Sequence, residues 1–377
     1  MKPRINSLPK NKFVLFTPYM TEDELAAVNR VVKSGWLSLG GETKNFESAI
    51  AKYVGAKYAV AVSSGTAALH LSIIAAGIKA GDEVITTPFT FIASTNCILY
   101  EKAKPVFVDI NQSSLNIDVN QIEVKITKKT KAILAVDVFG YPAEWEKIKL
   151  LAKKYHLKII EDAAEALGAK YNGKKLGSLG HLSIFSFFPN KQITTGEGGV
   201  VVTDSKKEYA LIKGLANQGR ISDQPESSHN YMGFNYRMTE LSAALGREQL
   251  KKIDQFLTSR RQVARWYQEQ LKTVAGISLP KPNDKDHQRS WFVYTVRLDK
   301  NINRDAMAAK LIGQGIPIKT YFPSVHLQPY LKQYGYKLKD FPICEAVSRS
   351  TLSLPFYTGM AQETVLSICN KLKKTLK

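Results

Sequence analysis

The sequence predicts an α/β fold in which a large domain with a mostly parallel sheet is followed by a smaller α+β domain. Short, continuously apolar runs alternate with helical patterns between residues 58 and 161. Strands that are buried on both faces have such unbroken apolar runs, so the alternation is typical of a parallel sheet covered by helices. A change in composition after residue 255 divides the chain into predicted domains of 1–255 and 256–377.

An irregular arm (residues 1–20) and two helices are predicted before the sheet. Thr21 and Glu24 have the spacing of a capping box, which begins a helix at 21–33. Gly55 ends a second helix, at 43–53. Strands of the large sheet are then predicted at 58–62, 83–87, 105–109, 131–138, 158–161, 182–188 and 200–203.

Helices and a second set of strands complete the prediction. Helices between or after the strands of the large domain are predicted at 66–76, 91–100, 120–126, 144–155, 204–216 and 238–256. The smaller domain is predicted to contain helices 259–272, 304–314 and 362–373 and strands 291–297 and 317–319. Residues 219–230 are polar and are predicted to be irregular and mobile.

The composition narrows the class of protein. The 53 Lys and Arg residues outnumber the 33 Asp and Glu residues and give a net charge of +20, which also fits a nucleic-acid-binding or regulatory protein. The lysines are scattered over helices and loops, without an arginine-rich arm or an RNA-binding motif, so no nucleic-acid partner is expected. Cys97, Cys344 and Cys369 lack metal-ligand spacing and are too far apart to indicate a disulfide framework. With no apolar leader and no membrane span, a cytoplasmic location is expected.

A phosphate-binding turn is predicted where the first strand of the sheet ends. Ser64, Gly65 and Thr66 join strand 58–62 to the following helix. Backbone N–H groups and the helix dipole at such a turn favour a phosphate, and glycine permits close approach. Read alone, the same residues also make an ordinary helix N-cap.

Other chemically useful side chains follow further strands, and ligands bind beyond the carboxyl ends of strands in this type of sheet. Asp162 follows strand 158–161 and could keep a pyridine nitrogen protonated, while either Phe89 or Phe91 could stack on a planar ring. Lys191 follows strand 182–188, where desolvation would favour a neutral amine able to form a Schiff base with an aldehyde. Pyridoxal 5′-phosphate requires all four of these features: a phosphate-binding turn, an aromatic ring that stacks on its own ring, a carboxylate and a lysine.

The chain also resembles the DegT/DnrJ/StrS family of sugar aminotransferases. The resemblance covers nearly the whole sequence and is most specific around Lys191 and the following Thr195-Gly196-Glu197-Gly198-Gly199. It implies the aspartate-aminotransferase-like fold type I of pyridoxal-phosphate enzymes. Family members that dehydrate sugars have histidine in place of the lysine, so Lys191 favours amine transfer.

The resemblance implies roles for individual residues. Lys191 and Asp162 would be catalytic, with Lys191 holding the cofactor aldehyde and Asp162 pairing with the ring nitrogen. Glu165, at a position where many members have glutamine, would contact the ring hydroxyl. The other implied cofactor contacts are Ser64, Gly65, Thr66, Phe91, Ser186 and, from a partner subunit, Asn235. The implied sugar-nucleotide contacts are Arg237, Tyr321 and His326.

The implied reaction is a ping-pong transfer between two substrates in a homodimer with shared active sites. L-Glutamate would donate the amine and leave as 2-oxoglutarate, and a nucleoside-diphosphate keto sugar would accept it. The segment from Ser186 to Gly199 is most similar to enzymes that act on 4-keto-6-deoxy sugars, such as perosamine synthases, which make precursors of cell-surface polysaccharide, including lipopolysaccharide. Amination at C3, or of a cyclic inositol ketone, is the alternative.

Overall fold

A computed structural model describes residues 1–6, 13–220 and 228–376. The helices of the described chain are α1 (Glu22–Ser34), α2 (Gly41–Val54), α3 (Gly65–Ala75), α4 (Ala93–Tyr100), α5 (Trp145–Tyr155), α6 (Lys206–Ala216), α7 (Glu240–Lys251), α8 (Ile253–Leu271), α9 (Arg304–Gly313), α10 (Pro342–Ser350) and α11 (Gln362–Leu376). The strands are β1 (Tyr58–Val62), β2 (Glu83–Thr86), β3 (Lys104–Phe107), β4 (Thr130–Val136), β5 (Lys158–Asp162), β6 (Lys170–Tyr171), β7 (Lys174–Lys175), β8 (Leu182–Ser186), β9 (Gly199–Thr203), β10 (Ile277–Ser278), β11 (His287–Gln288), β12 (Tyr294–Leu298) and β13 (Thr351–Leu354).

The central sheet has seven strands in the order β1-β9-β8-β5-β4-β2-β3. The pairs from β8 to β3 are parallel, whereas β9 is antiparallel to both β1 and β8. Apolar side chains on the two faces of the sheet form separate buried clusters beneath the helices. The prediction of a large, mostly parallel α/β sheet is therefore confirmed.

One edge of the sheet gathers the ends of several strands. Val62 at the end of β1 pairs with Gly199 at the start of β9, and Gly199 pairs in turn with Ser186 at the end of β8. Asp162 ends β5, which lies beside β8 in parallel. Because these strand termini are in register, they lie at the same end of the strands, and residues that are distant in sequence come together there.

Helix α1 begins as the sequence predicts. The Thr21 hydroxyl caps α1, and the Glu24 carboxylate accepts a hydrogen bond from the Thr21 backbone N–H at 2.8 Å. Lys252, at the junction of α7 and α8, lies 2.8 Å from both carboxylate oxygens of Glu24. The capping box therefore also attaches the first helix to the long helices near the second domain.

Three predicted elements are wrong in detail. The predicted helix 120–126 is instead two short 3₁₀ turns, in a segment rich in β-branched residues, which disfavour a helix. A break between two helices is predicted near residue 257, but it lies at Lys252, and α8 runs without a break through residue 257. The predicted strand 317–319 is reduced to a single bridge between Lys319 and Ser353. The predicted mobile loop 219–230 lies largely outside the described residues.

A second, three-stranded antiparallel sheet in the order β10-β12-β13 supports the C-terminal part of the chain. Its buried residues form a third apolar cluster together with α8, α9 and α11. The division at 255/256 falls within the first turn of α8, so this helix belongs to both sides of it. That division stays a prediction.

Two further properties apply to the described part of the chain. No helix there is both long and apolar enough to cross a lipid bilayer. The same residues contain no group of three or more His, Cys, Asp or Glu side chains placed to hold a metal ion.

Glu161 provides a test of what stabilises the segment that leads into β8. Its buried carboxylate accepts hydrogen bonds from the backbone N–H groups of Gly177, Leu179 and Gly180 and from the Ser183 hydroxyl. Glu161→Gln replaces one acceptor oxygen by a donor, so buried donors lose their partner. We expect the free energy of unfolding to fall by about 3 kcal/mol in urea denaturation.

Glu269 on α8 provides the matched control, because its side chain is exposed. Glu269→Gln should change the free energy of unfolding by less than about 0.5 kcal/mol. Equal effects of the two substitutions would show that the Glu161 carboxylate does not stabilise the segment 177–180.

Candidate active site

Lys191 lies in the loop that connects β8 to β9, and its side chain is only 13% exposed. The ammonium nitrogen Nζ is 3.6 Å from Glu165 Oε1 and 4.2 Å from the centre of the Phe292 ring. A carboxylate and an aromatic face therefore border the amine on two sides.

Backbone hydrogen bonds hold the lysine loop closed. The Phe187 N–H donates to the Gly198 carbonyl at 2.9 Å, and the Thr195 N–H donates to the Phe187 carbonyl at 3.0 Å. From α8, the Arg260 guanidinium donates to the Lys191 carbonyl at 3.2 Å. The lysine is thus positioned by its own loop and by a helix on the other side of the predicted domain division.

Asp162 is buried at the end of β5 and has two hydrogen-bond donors. The Ser94 hydroxyl donates to Oδ2 at 2.7 Å, and the Ala164 backbone N–H donates to Oδ1 at 3.1 Å. Since Ser94 uses its hydrogen for Asp162, the Thr90 hydroxyl, 2.9 Å away, donates to Ser94. Burial raises the pKa of Asp162, although Ser94, Ala164 and the charge of Lys191 act in the opposite direction.

Glu165 and Lys191 are perturbed in opposite senses. Burial raises the pKa of Glu165, against the opposing effects of Lys191 and of the Phe139 N–H, which donates to Oε2 at 2.9 Å. Burial lowers the pKa of Lys191, while the charges of Glu165 and Asp162 favour the ammonium form. Neutral amine, the reactive form toward an aldehyde, is therefore more accessible here than on a surface lysine.

The predicted phosphate turn lies where helix α3 begins. The Ser64 hydroxyl caps the helix by accepting from the Ala67 N–H at 3.0 Å. A Cβ atom at Gly65 would lie 2.8 Å from Ser186 Cβ, and one at Gly199 would lie 2.4 Å from the Ser64 carbonyl oxygen. The two glycines therefore allow three backbone segments to approach at the helix N-terminus, where the dipole favours an anion.

These residues fit pyridoxal phosphate. Asp162 is a buried carboxylate that a protonated pyridine nitrogen would neutralise, and Lys191 is a desolvated amine for the aldehyde. The glycine-lined turn beside Ser186 suits the phosphate. Phe91 is 60% exposed, and its carbonyl accepts from the Ser94 N–H, so an open aromatic ring lies one turn from the serine that binds Asp162.

Other predicted residues lie apart from this cluster. Asn235 is exposed, and Arg237 donates to the Asn217 side chain at 2.9 Å. Tyr321 is half-buried, its ring centre lies 6.3 Å from that of Phe292, and burial together with the Glu165 charge raises its pKa to about 12. Tyr321 thus faces the cluster, whereas the described contacts of Asn235 and Arg237 do not include Lys191, Asp162 or Glu165.

His326 is fully buried, with 0% of its surface exposed. Its Nε2 lies 3.2 Å from Glu345 Oε1, and its ring meets Phe341 edge-on. Burial lowers its pKa, and the Glu345 carboxylate opposes this. In this conformation His326 is a core residue of the loop after Tyr321 and does not offer its ring to a ligand.

Several contacting residues are absent from the prediction, among them Ser94, Phe139, Phe292 and Arg260. Ser94 lies four residues after Thr90 at the start of α4, a spacing that could have indicated a polar side chain on the same face. Phe292 and Arg260 come from the other side of the predicted domain division. Their sequence surroundings contain no pattern that links them to Lys191.

Comparison with known proteins identifies the family. The model of the DegT/DnrJ/EryC1/StrS aminotransferase family matches residues 18–373. The chain belongs to this family. It is 37% identical to the GDP-perosamine synthase of Escherichia coli O157:H7, over 96% of this chain and 97% of that protein.

Solved structures agree with the fold and with the cofactor. The Helicobacter pylori aminotransferase PseC, involved in the biosynthesis of pseudoaminic acid, is 29% identical, with a TM-score of 0.92 over 97% of this chain and 99% of that chain. The PLP form of the putative sugar aminotransferase Spr1654 from Streptococcus pneumoniae is 26% identical, with a TM-score of 0.92 over 97% and 98% of the two chains. The chain therefore has the fold of the pyridoxal-phosphate aminotransferases and is a PLP-dependent sugar aminotransferase.

The opposed pKa shifts of Lys191 and Glu165 can be tested in the cofactor-free enzyme. Glu165→Gln retains an acceptor for the Phe139 N–H but removes the charge that favours the ammonium. We expect the pKa of Lys191 to fall further, so that Lys191 becomes reactive at lower pH. Competitive acetylation across pH, read by peptide mass spectrometry, measures this profile.

Glu197→Gln is the control, because Glu197 is an exposed carboxylate in the same loop. It should leave the Lys191 profile unchanged. A Glu165→Gln profile that stays in place or moves to higher pH would contradict the assigned interaction.

The phosphate turn can be tested at Gly199. Gly199→Ala places a methyl group against the Ser64 carbonyl and should displace the turn, so the Kd for pyridoxal phosphate should rise about tenfold or more, or about 1.4 kcal/mol. Gly313→Ala is the control, since a Cβ there meets no atom within 4 Å. The Kd of each cofactor-free variant is measured by fluorescence titration with pyridoxal phosphate. Wild-type affinity in Gly199→Ala would exclude this turn as the phosphate site.

Proposed function

We propose that the enzyme transfers the amino group of L-glutamate to a nucleotide-linked 4-keto-6-deoxy sugar and so makes a 4-amino sugar nucleotide for cell-surface polysaccharide. The observation that carries this proposal is the end-to-end similarity to GDP-perosamine synthases from several bacteria, at 36–38% identity. The segment from Ser186 to Gly199, which resembles the 4-aminotransferases, supports the same position of amination. Amination at C3 is the alternative.

Lys191 has two tasks in the proposed mechanism. Pyridoxal phosphate, when bound, supplies an aldehyde to hold the amine and a ring that withdraws electrons from the substrate carbon. Lys191 Nζ would hold that aldehyde, and as a free amine it would accept the proton of the reacting carbon and return it. The lowered pKa of Lys191 suits both tasks, because a neutral amine is needed for attachment and for accepting a proton.

Asp162, with Ser94 bound to it, would stabilise the protonated ring nitrogen of the cofactor. The Asp162 carboxylate, fixed by Ser94 and by the Ala164 N–H, is proposed to keep the pyridine nitrogen protonated. The Glu165 carboxylate is proposed to accept a hydrogen bond from the ring hydroxyl. Ser64, Gly65, Thr66 and Ser186 are proposed to bind the phosphate, and Phe91 to stack on the ring.

The proposed active enzyme is a homodimer in the cytoplasm. Asn235 is exposed, as a residue that reaches into a partner's phosphate site must be, and large apolar side chains such as Trp36, Phe91 and Met232 are exposed as well. The three cysteines are free and buried, which is compatible with a reducing compartment. Arg237 and Tyr321 are proposed to contact the sugar nucleotide, whereas the complete burial of His326 supports an indirect role.

Product analysis tests the reaction and its regiochemistry. With L-glutamate and a panel of nucleoside-diphosphate keto sugars, the wild-type enzyme should release 2-oxoglutarate, and NMR of the product should place the amine at C4. Lys191→Ala should lower the rate by on the order of 10⁴-fold. The exposed Lys129→Ala should retain the wild-type rate.

The possible outcomes are distinct. An amine at C3 would replace the proposed substrate by the alternative while the aminotransfer stands. Turnover of none of the keto sugars by an enzyme that binds pyridoxal phosphate would contradict the proposed substrate class.

A further inference from the structure

A hydrogen-bonded chain, Glu101–His70–Tyr236, is centred on a buried histidine and lies outside the residues that the reaction uses. His70 is on α3 and only 6% exposed. Its Nε2 lies 2.9 Å from Glu101 Oε1, and its Nδ1 lies 3.1 Å from the Tyr236 hydroxyl. Both ring nitrogens are therefore occupied, one by a carboxylate and one by a phenol.

The network fixes the roles of the donors. An ionised Glu101 carboxylate can only accept, so His70 donates through Nε2. In the neutral ring Nδ1 is then an acceptor, and the Tyr236 hydroxyl donates to it. The carboxylate thereby orients the imidazole, and the imidazole orients the tyrosine.

Tyr236 belongs to an extended segment, 234–237, that runs beside the phosphate turn. The Phe234 N–H donates to the Leu215 carbonyl at 2.7 Å, and the Ser63 N–H donates to the Tyr236 carbonyl at 2.7 Å. Arg237 forms an antiparallel bridge with Val62 at the end of β1. This segment is therefore joined to the strand that leads into the turn.

Alternation along this segment places Phe234 and Tyr236 on one face and Asn235 and Arg237 on the other. The rings of Phe234 and Tyr236 stack at 4.9 Å with an interplanar angle of 9°, and both lie against His70. Successive side chains in an extended chain point to opposite sides, so Asn235, between the two rings, projects away from His70. Asn235 is exposed there.

We propose that His70 and Glu101 are positioning residues for the active site of the partner subunit, acting through Tyr236. The contacts of His70 with Phe234 and Tyr236 fix the position of the 234–237 segment, and this fixes the position of the exposed Asn235 side chain. The inference rests on the proposed function, in which Asn235 reaches the cofactor phosphate of the second subunit. His70 itself contacts neither Lys191 nor Asp162 in the described residues.

Single substitutions give the first part of the test. Tyr236→Phe removes one hydroxyl, and Glu101→Gln keeps an acceptor for His70 but removes the charge. We expect Tyr236→Phe to raise the Kd for pyridoxal phosphate by about three- to tenfold, the effect of one lost hydrogen bond, and Glu101→Gln to raise it less. Unchanged affinity in Tyr236→Phe would overturn the proposal.

Mixed dimers separate an effect across the interface from one within a subunit. A dimer of one Lys191→Ala subunit and one Tyr236→Phe subunit, isolated with two affinity tags, has a single lysine-bearing site. The 234–237 segment that reaches this site comes from the Lys191→Ala subunit, in which Tyr236 is intact. We therefore expect wild-type affinity at this site, measured from the visible absorption of lysine-bound cofactor.

A mixed dimer that retains the weakened affinity of Tyr236→Phe would show that the network acts within its own subunit, through α3, and would overturn the proposal. A loss of folding in Tyr236→Phe is detected by its Tm, and Glu101→Gln then takes its place in the mixed dimer. Because the readout is cofactor affinity, the result does not depend on which keto sugar is the substrate. Absence of aminotransfer in the wild-type enzyme would contradict the proposed function alone.

Discussion

The buried guanidinium of Arg260 joins the two parts of the active site. It donates to the carbonyls of Lys191, Trp291 and Phe292 and to the Thr358 hydroxyl, and burial lowers its pKa to about 10. Burial alone accounts for this shift, with no contribution from a carboxylate of the described residues, so these acceptors must offset the loss of hydration. The same cation thus holds the backbone of the lysine and the segment that places the Phe292 ring over Lys191 Nζ.

The site is electrostatically incomplete as a protein alone. Burial raises the pKa values of Asp162 and Glu165 and lowers that of Lys191. Lys191 and Glu165 stabilise each other's charge, whereas the charge of Asp162 is stabilised first by the hydrogen bonds from Ser94 and Ala164 and then by Lys191. A bound pyridinium would provide a partner for Asp162, and attachment of Lys191 to the aldehyde would remove an amine that is costly to keep charged. Cofactor binding and relief of this desolvation therefore favour each other.

The sequence predicts the parts of the fold and site that local patterns encode. The capping box at Thr21, the apolar strands and the polar residues at strand ends each depend on a few neighbouring residues. Arg260 and Phe292 reach the lysine only through the packing of distant segments, and the burial of His326 depends on Glu345 and Phe341. The break between α7 and α8 coincides with a tertiary contact, because Lys252 at this break binds Glu24 of the first helix.

The closed loop between β8 and β9 has a consequence for how this scaffold can change. Its shape depends on backbone bonds between Phe187 and both Thr195 and Gly198, and on the Thr194 hydroxyl, which donates to the Phe187 carbonyl. The Lys191 side chain takes part in none of them. A different side chain at position 191 would therefore lie in the same place beside Asp162 and Glu165. The chemistry of the site can change through a single substitution while the loop around it keeps its conformation.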